Sequence, residues 1–316
     1  MILITGGLGF IGLHAAKAFL DVGESVVLTR YRSSTLPDFL KDEAGKRVFV
    51  ESIDLNSPYL LLDSIQRHKV SAICDLFVPR RGTLSPGEDY RVKTQGLLHV
   101  LEAARLGGVE HVAHASSVAV YSSVSEGPFR DDMPLPLDSR NETEAFKKAQ
   151  EVLANHYANE TGMDIVFLRI GNFRGPLYQR ENRTDTRMLK AAITAQPARW
   201  EGIPGGPPHE EDHSDFTYVK DGARAIRMLT MARKLPSRAY NISAGVTVSN
   251  RELANAVRAV APNTQIDLLP GRSSHARPEW PMDISRLQRD LGWKPEYDVY
   301  KGVAEWIDWL RTHQDF

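Results

Sequence analysis

Met1-Ile2-Leu3-Ile4-Thr5-Gly6-Gly7-Leu8-Gly9-Phe10-Ile11-Gly12 opens the chain, and the fold is decided there. Ile2, Leu3 and Ile4 form a short apolar run of the kind buried on both faces of a parallel sheet. Gly6, Gly9 and Gly12 follow at three-residue spacing, and Leu13 to Val22 then reads as a helix. Each glycine has a physical task in such a strand–turn–helix. Gly6 permits the tight turn, Gly9 lets backbone approach a pyrophosphate, and Gly12 lets helix and strand pack closely. The helix N-terminus adds free N–H groups and the positive end of a dipole. A glycine triplet alone also fits an ordinary turn; its place between strand and helix selects the dinucleotide-binding reading.

Downstream, Glu24 to Thr29 reads as a second strand. In a dinucleotide fold an acid ending this strand bonds the ribose 2′-OH. Here the stretch is Thr29-Arg30-Tyr31-Arg32-Ser33-Ser34, without an acid. Arg30 and Arg32 suit a 2′-phosphate through charge-assisted pairs, so NADP is favoured and NAD stays open. Arg47 to Ile53 is a third strand, and Asp54-Leu55 after it is a natural adenine contact. Val70 to Val78 is a fourth strand, running into Pro79-Arg80-Arg81-Gly82. A helix from Glu88 to Leu106, with Val92, Leu97, Val100, Leu101 and Ala104 as its apolar stripe, ends at Gly107-Gly108. Val109 to Ala115 is a fifth strand, with Ser117 and Tyr121 just beyond it. A helix from Asn141 to Glu160 and a sixth strand, Asp164 to Arg169, follow.

This alternation argues an α/β fold: a doubly wound parallel sheet of the Rossmann kind, with a smaller mixed α/β C-terminal substrate domain. The expected cofactor domain is residues 1–168, with 214–234 returning to it; residues 169–213 and 235–316 form the substrate domain. Ligands of such a sheet lie beyond the strands' carboxyl ends, where Ser117 and Tyr121 fall. Gly202 to Asp215 reads as a surface loop, and its His209/His213 pair lacks the helical scaffold of a metal site; no metal is assigned.

With 316 residues the chain has length enough for such a pair of units. A net charge of −1 gives no argument for nucleic acid or an anionic membrane as partner. Cys74 is the only cysteine, so no internal disulfide forms, and its apolar neighbours make it a core residue. No leader precedes the first strand and no apolar run reaches membrane-spanning length, so a soluble cytoplasmic protein is expected.

The landmarks together resemble the extended short-chain dehydrogenase/reductase superfamily, in its NAD(P)-dependent nucleotide-sugar epimerase/dehydratase branch. The resemblance rests on Thr5-Gly6-x-x-Gly9-x-x-Gly12, Ser116-Ser117-x-x-Val120-Tyr121, Leu168-Arg169-x-x-Asn172-x-x-Gly175-Pro176 and Asp215-Phe216-x-x-Val219-x-Asp221. Tyr240-Asn241-Ile242 and Leu291-Gly292-Trp293-x-Pro295 complete it. The resemblance implies a hydride-transfer mechanism. A tyrosine of lowered pKa exchanges a proton with the substrate, a lysine four residues later holds the nicotinamide ribose, and a serine holds the substrate oxygen. The serine maps to Ser117.

The tyrosine does not map. In Asn141-Glu-Thr-Glu-Ala-Phe-Lys-Lys-Ala-Gln-Glu151, Lys147 has the acid Glu151 four residues on and Thr143 four before. In the other register Lys148 pairs with Glu144; the first is preferred because Thr143 and Lys147 then share a helix face. Lys93, Arg174 and Phe77-Val78 also depart from the family's usual residues. Candidate catalytic residues are therefore Ser117, Thr143, Lys147 and Tyr121. Candidate cofactor contacts are Gly6, Gly9, Phe10, Ile11, Gly12, Arg30, Arg32, Asp54, Leu55, Leu76, Phe77 and Lys147; Asn172 and Arg277 match substrate positions.

Three functions fit. One is an oxidoreductase or epimerase/dehydratase acting on a small sugar-nucleotide or carbonyl substrate, with a proton relay through Tyr121, water or the substrate. The second is a cofactor-binding regulatory protein without turnover, and the third a non-redox lyase or isomerase. The first is favoured by the Ser117/Lys147 pair. The resemblance also implies a homodimer through the helices Glu88–Leu106 and Asn141–Glu160.

Overall fold

The structure, a computed structural model, describes residues 1–30, 35–78, 84–178, 180–275 and 279–313. In chain order its strands are β1 (Ile2–Thr5), β2 (Val26–Arg30), β3 (Val48–Ser52), β4 (Ala72–Asp75), β5 (His111–Ser117), β6 (Asp164–Ile170), β7 (Phe173–Arg174), β8 (His213–Asp215), β9 (Thr217–Tyr218), β10 (Ala239–Ile242) and β11 (Thr247–Ser249). Its helices are α1 (Phe10–Leu20), α2 (Asp38–Lys41), α3 (Pro58–His68), α4 (Pro86–Leu106), α5 (Glu142–Thr161), α6 (Thr184–Thr194), α7 (Val219–Met231), α8 (Asn250–Val260), α9 (Ser285–Leu291) and α10 (Val299–Thr312).

Leu3 and Ile4 are fully buried because their strand lies inside a seven-stranded sheet, between β4 and β2. The strand order is β10-β6-β5-β4-β1-β2-β3, and every neighbouring pair is parallel. Alternate residues serve opposite layers. Ile2 and Ile4 pack with Phe19, Ile226 and Leu229 of α1 and α7, whereas Leu3 packs with Leu61, Leu101 and Ala154 of α3, α4 and α5. Burying each such side chain contributes about 1.5–3 kcal/mol. The chain winds outward from β1 to β3, then crosses over to β4, so the switch of direction opens a crevice beyond the ends of β1 and β4.

A third core, built from Met188 and Leu189 of α6, Leu253 and Val257 of α8 and Val303 and Trp306 of α10, gathers the C-terminal helices around Phe216 and Tyr218. Two small sheets, β11-β8 and β7-β9, border it.

Local capping fixes the helix that matters most for the site. Asn141 accepts the Glu144 N–H at 3.0 Å at the start of α5, and Gly162 ends it at φ 73°. Phe146, Lys147, Gln150, Glu151, Ala154 and Ala158 are buried on one face of that helix.

Several boundaries differ from the sequence expectation. The first helix begins at Phe10, so Gly12 lies inside it. The strand expected over Val70 to Val78 is confined to Ala72–Asp75. Helices α3 and α6 were not anticipated: only Leu61 and Ile65 among the apolar residues of α3 are buried, too short a stripe to reveal its period. His213–Asp215, placed in a loop by its polar composition, is a strand paired antiparallel with Thr247–Ser249. The main sheet also draws its last strand, Ala239–Ile242, from beyond residue 234, where the substrate domain was expected to resume.

Candidate functional site

The glycine turn between β1 and α1 forms the floor of the crevice. Gly6 has φ +61°, and a Cβ there would stand 3.0 Å from the Leu76 carbonyl oxygen. A Cβ on Gly12 would lie 2.6 Å from the Gly6 oxygen, so only glycine lets the helix sit this close. Gly9 is exposed, and a Cβ there would meet nothing but the Gly6 oxygen, 3.1 Å away. It is also the N-cap of α1, which has neither a side-chain cap nor an acid in its first turn. The amides beside Phe10, Ile11 and Gly12 therefore face an open cradle, suited to an anionic pyrophosphate. This chain's residues fit a dinucleotide.

The remaining cofactor candidates surround that cradle. Thr29 accepts the Gly6 N–H at 3.1 Å, tying the end of β2 to the turn, and Arg30 beside it is exposed. Arg32 lies outside the described residues. Asp54 accepts both the backbone and the side-chain N–H of Asn56 at 2.9 Å, while buried Leu55 offers its carbonyl to His99. Leu76 and Phe77, half-buried at the end of β4, lie over Gly6, and the Phe77 N–H donates to Thr5 Oγ1 at 3.2 Å.

On the other side of the crevice, Ser117 ends β5 and its Oγ accepts the Ala119 N–H at 3.1 Å, opening a 3₁₀ turn, Val118–Tyr121. Lys147 extends from α5 to the same strand, where its Nζ donates to the Ala115 carbonyl at 2.5 Å. Burial lowers its pKa to about 8, opposed by the charges of Asp75 and Glu151. Thr143 lies partly buried one turn earlier on α5. Lys148 turns elsewhere: it pairs with Glu144 at 2.7 Å and reaches the Asp138 carbonyl. Glu144 accepts the Ser123 and Arg140 N–H groups as well, so it closes the start of α5.

Tyr121 is not brought together with Ser117 and Lys147. Its hydroxyl donates to Asn241 Oδ1 at 2.8 Å and accepts from Arg169 Nη1 at 2.8 Å, and its ring stacks on Phe129. Burial pushes this phenol up to about 12, against the pull of Arg169. Arg169 in turn holds Glu151, which also accepts from Ser116. Sequence reading passed over Asp75 and His114, a buried pair beneath the same strand ends. Their only signal was an acid closing an apolar strand.

On the substrate side, the Asn172 N–H donates to Asp215 Oδ2 at 2.6 Å, which leaves its side chain half-exposed beside β7. Arg174 is buried in an ion pair with Asp185. Arg277 lies outside the described residues. His209 and His213 bond to the carbonyls of Pro270 and Glu211. Among the described residues no helix is long and apolar enough to cross a membrane.

Known proteins resemble this chain over nearly its whole length. The model of the NAD dependent epimerase/dehydratase family matches residues 2–243. A dTDP-glucose 4,6-dehydratase of Streptomyces griseus is 27% identical over 326 residues, covering 100% of this chain and 95% of that protein. A UDP-glucose 4-epimerase of Azospirillum brasilense is 27% identical over 338 residues, covering 98% and 92%. In fold, the chain superposes with TM-score 0.81 and 19% identity on a Bacillus anthracis dTDP-glucose 4,6-dehydratase solved with NAD, over 99% of this chain and 97% of that one. This chain belongs to the NAD dependent epimerase/dehydratase family, as an enzyme of the extended short-chain dehydrogenase/reductase type that uses a nicotinamide cofactor.

Proposed function

We propose that the enzyme acts on a sugar nucleotide by epimerase or dehydratase chemistry, with Ser117 and Lys147 as its central pair and Thr143 where a tyrosine is usual. The observation that carries this reading is Lys147 Nζ, buried against the Ala115 carbonyl of β5, two residues before Ser117 and across the crevice from the uncapped start of α1. That burial costs it proton affinity, and beyond its bond to the Ala115 carbonyl the ammonium keeps donors for a ligand. The relatives named as dTDP-glucose dehydratase and UDP-glucose epimerase support the substrate class.

A bound nicotinamide supplies a hydride acceptor and donor. The chain's own groups do the rest. The amides at the start of α1 hold the pyrophosphate, Lys147 holds the ribose, and Ser117 donates to the substrate oxygen at the carbon that reacts. Thr143 orients but does not exchange the proton, since an aliphatic hydroxyl titrates several units above a phenol. With Tyr121 engaged by Arg169 and Asn241, we assign proton exchange to water or a substrate hydroxyl, and Tyr121 to positioning. Asn172 and Arg277 are proposed substrate contacts. Residues 1–168 and 214–234 are proposed as the cofactor domain, joined by β10, and the remainder as the substrate domain.

NADP is the proposed cofactor, because Arg30 stands exposed where an acid would select NAD. A homodimer is proposed through α4 and α5, whose outer faces present Tyr90, Leu98, Val152 and Leu153 to solvent. Incubation with UDP-glucose and dTDP-glucose, followed by NMR of the sugar, tests the function. A 4-epimer or a 4-keto-6-deoxy sugar supports it; unchanged sugar with either cofactor contradicts it.

A further inference from the structure

The carboxyl ends of β1 and β4 and the middle of β5 carry buried polar groups to which the proposed chemistry gives no role. Thr5, Asp75 and His114 are register partners on three adjacent strands, and none is more than 3% exposed. Thr5 Oγ1 donates to one Asp75 oxygen, and His114 Nδ1 meets the other at 2.6 Å. His114 Nε2 is buried without a partner among the described residues. An unmet lone pair is cheaper there than an unmet N–H, which assigns the Nδ1–H tautomer donating to Asp75. Asp75 thus receives two neutral-type donors.

Lys147 Nζ rests on the Ala115 carbonyl, one residue along β5 from His114. The charged groups around it come from every packed element. Asp75 on β4 and Glu151 on α5 favour its cation, Asp75 the more strongly, and Lys93 on α4 opposes it. Lys93 is already matched by Asp89 and Glu142. Glu151 is matched by Arg169 of β6, and Ser116 completes its shell. Of the two carboxylates, only Asp75 is paired with no lysine or arginine within 4.0 Å among the described residues; its ionisable partner there is His114.

We propose that Asp75, held by Thr5 and His114, is the counter-charge of Lys147, a positioning residue that keeps the ammonium cationic at the end of β5. Its consequence for the enzyme, a cofactor grip that persists through neutral pH, rests on the reading of Lys147 as the ribose-holding residue. Burial has already brought this lysine to about 8, so little proton affinity is left to lose before the amine is neutral at pH 7. The substitution Asp75→Asn removes the charge and keeps the shape.

The test is direct titration of Lys147 by NMR of the chain labelled with 13Cε-lysine, its signal assigned by its absence in Lys147→Arg. Asp75→Asn should lower the proton affinity of Lys147 at least tenfold, about one pH unit. The amide that Asp75→Asn introduces faces two donors, so a second comparison uses His114→Phe, which removes one. His114→Phe alone should leave the midpoint near that of the parent, and Asp75→Asn with His114→Phe should lower it. A midpoint that moves less than about twofold in both Asp75 variants overturns the proposal. Fluorescence titration of NADPH from pH 6 to 9 separates it from the ribose reading. A displaced midpoint that cofactor affinity does not follow supports the counter-charge and refutes Lys147 as the ribose residue.

Discussion

Arg169 and Glu151 meet side by side inside the protein, Nε to Oε1 at 3.0 Å and Nη2 to Oε2 at 2.7 Å, with both side chains less than 10% exposed. The pair joins β6 to α5 directly behind Lys147. Removing one partner strands the other charge, a loss of about 3–5 kcal/mol. Arg169→Met should therefore destabilise the chain by that order in urea unfolding. Combining it with Glu151→Gln should cost less than the two single changes added together, because no buried charge remains. A fully additive double variant would show that the pair is not coupled.

Thr143 stands one helical turn before Lys147, and Thr143→Tyr would restore a phenol there. Hydride transfer to a keto-sugar should then appear or rise, since general acid–base catalysis contributes roughly 10²–10⁴-fold. Reduced-nicotinamide absorbance follows it. If the native proton route runs through space the new ring occupies, the parent's own turnover should fall instead. Unchanged turnover on both substrates would remove Thr143 from the site.

Cofactor choice is tested at Arg30. Its guanidinium, exposed at the end of β2, is expected to pair with a 2′-phosphate. Arg30→Ala should weaken NADPH about tenfold or more while leaving NADH within about twofold. Equal affinities of the parent for the two cofactors would refute the preference.

The dimer prediction rests on Val152 and Leu153, 69% and 45% exposed on the outer side of α5. A charge placed in the centre of an apolar interface is not solvated there, so Val152→Glu with Leu153→Glu should yield monomers. Sedimentation at micromolar concentration reads the outcome. A monomeric parent would contradict the assignment.

What was legible in the sequence had a local cause. Gly6 answers a local demand through its positive φ, and Gly9 and Gly12 through their approach to the Gly6 oxygen, so the turn follows from their spacing. The register of α5 was readable for the same reason, as Thr143, Lys147 and Glu151 stand at four-residue intervals on one helix face. What escaped depends on register between distant strands. Asp75 and His114 are 39 positions apart, and nothing in either neighbourhood marks them as partners. Tyr121 lies just past Ser117 in sequence, yet Arg169, 48 residues on, claims its hydroxyl. Helix α6 went unseen because its buried Met188, Leu189 and Ala191 are interrupted by polar residues that face away.

The position of β10 limits how the chain can be divided. Ala239–Ile242 covers the outer edge of β6, hydrogen-bonding the strand that carries Arg169. A fragment cut after α7 would leave that edge with a row of unpaired amides and carbonyls between apolar side chains, an invitation to stack with its own copies. It would also take away Asn241, which receives the Tyr121 hydroxyl. The sheet therefore depends on this strand from the far side of residue 234: a fragment expressed without it should be lost to precipitation.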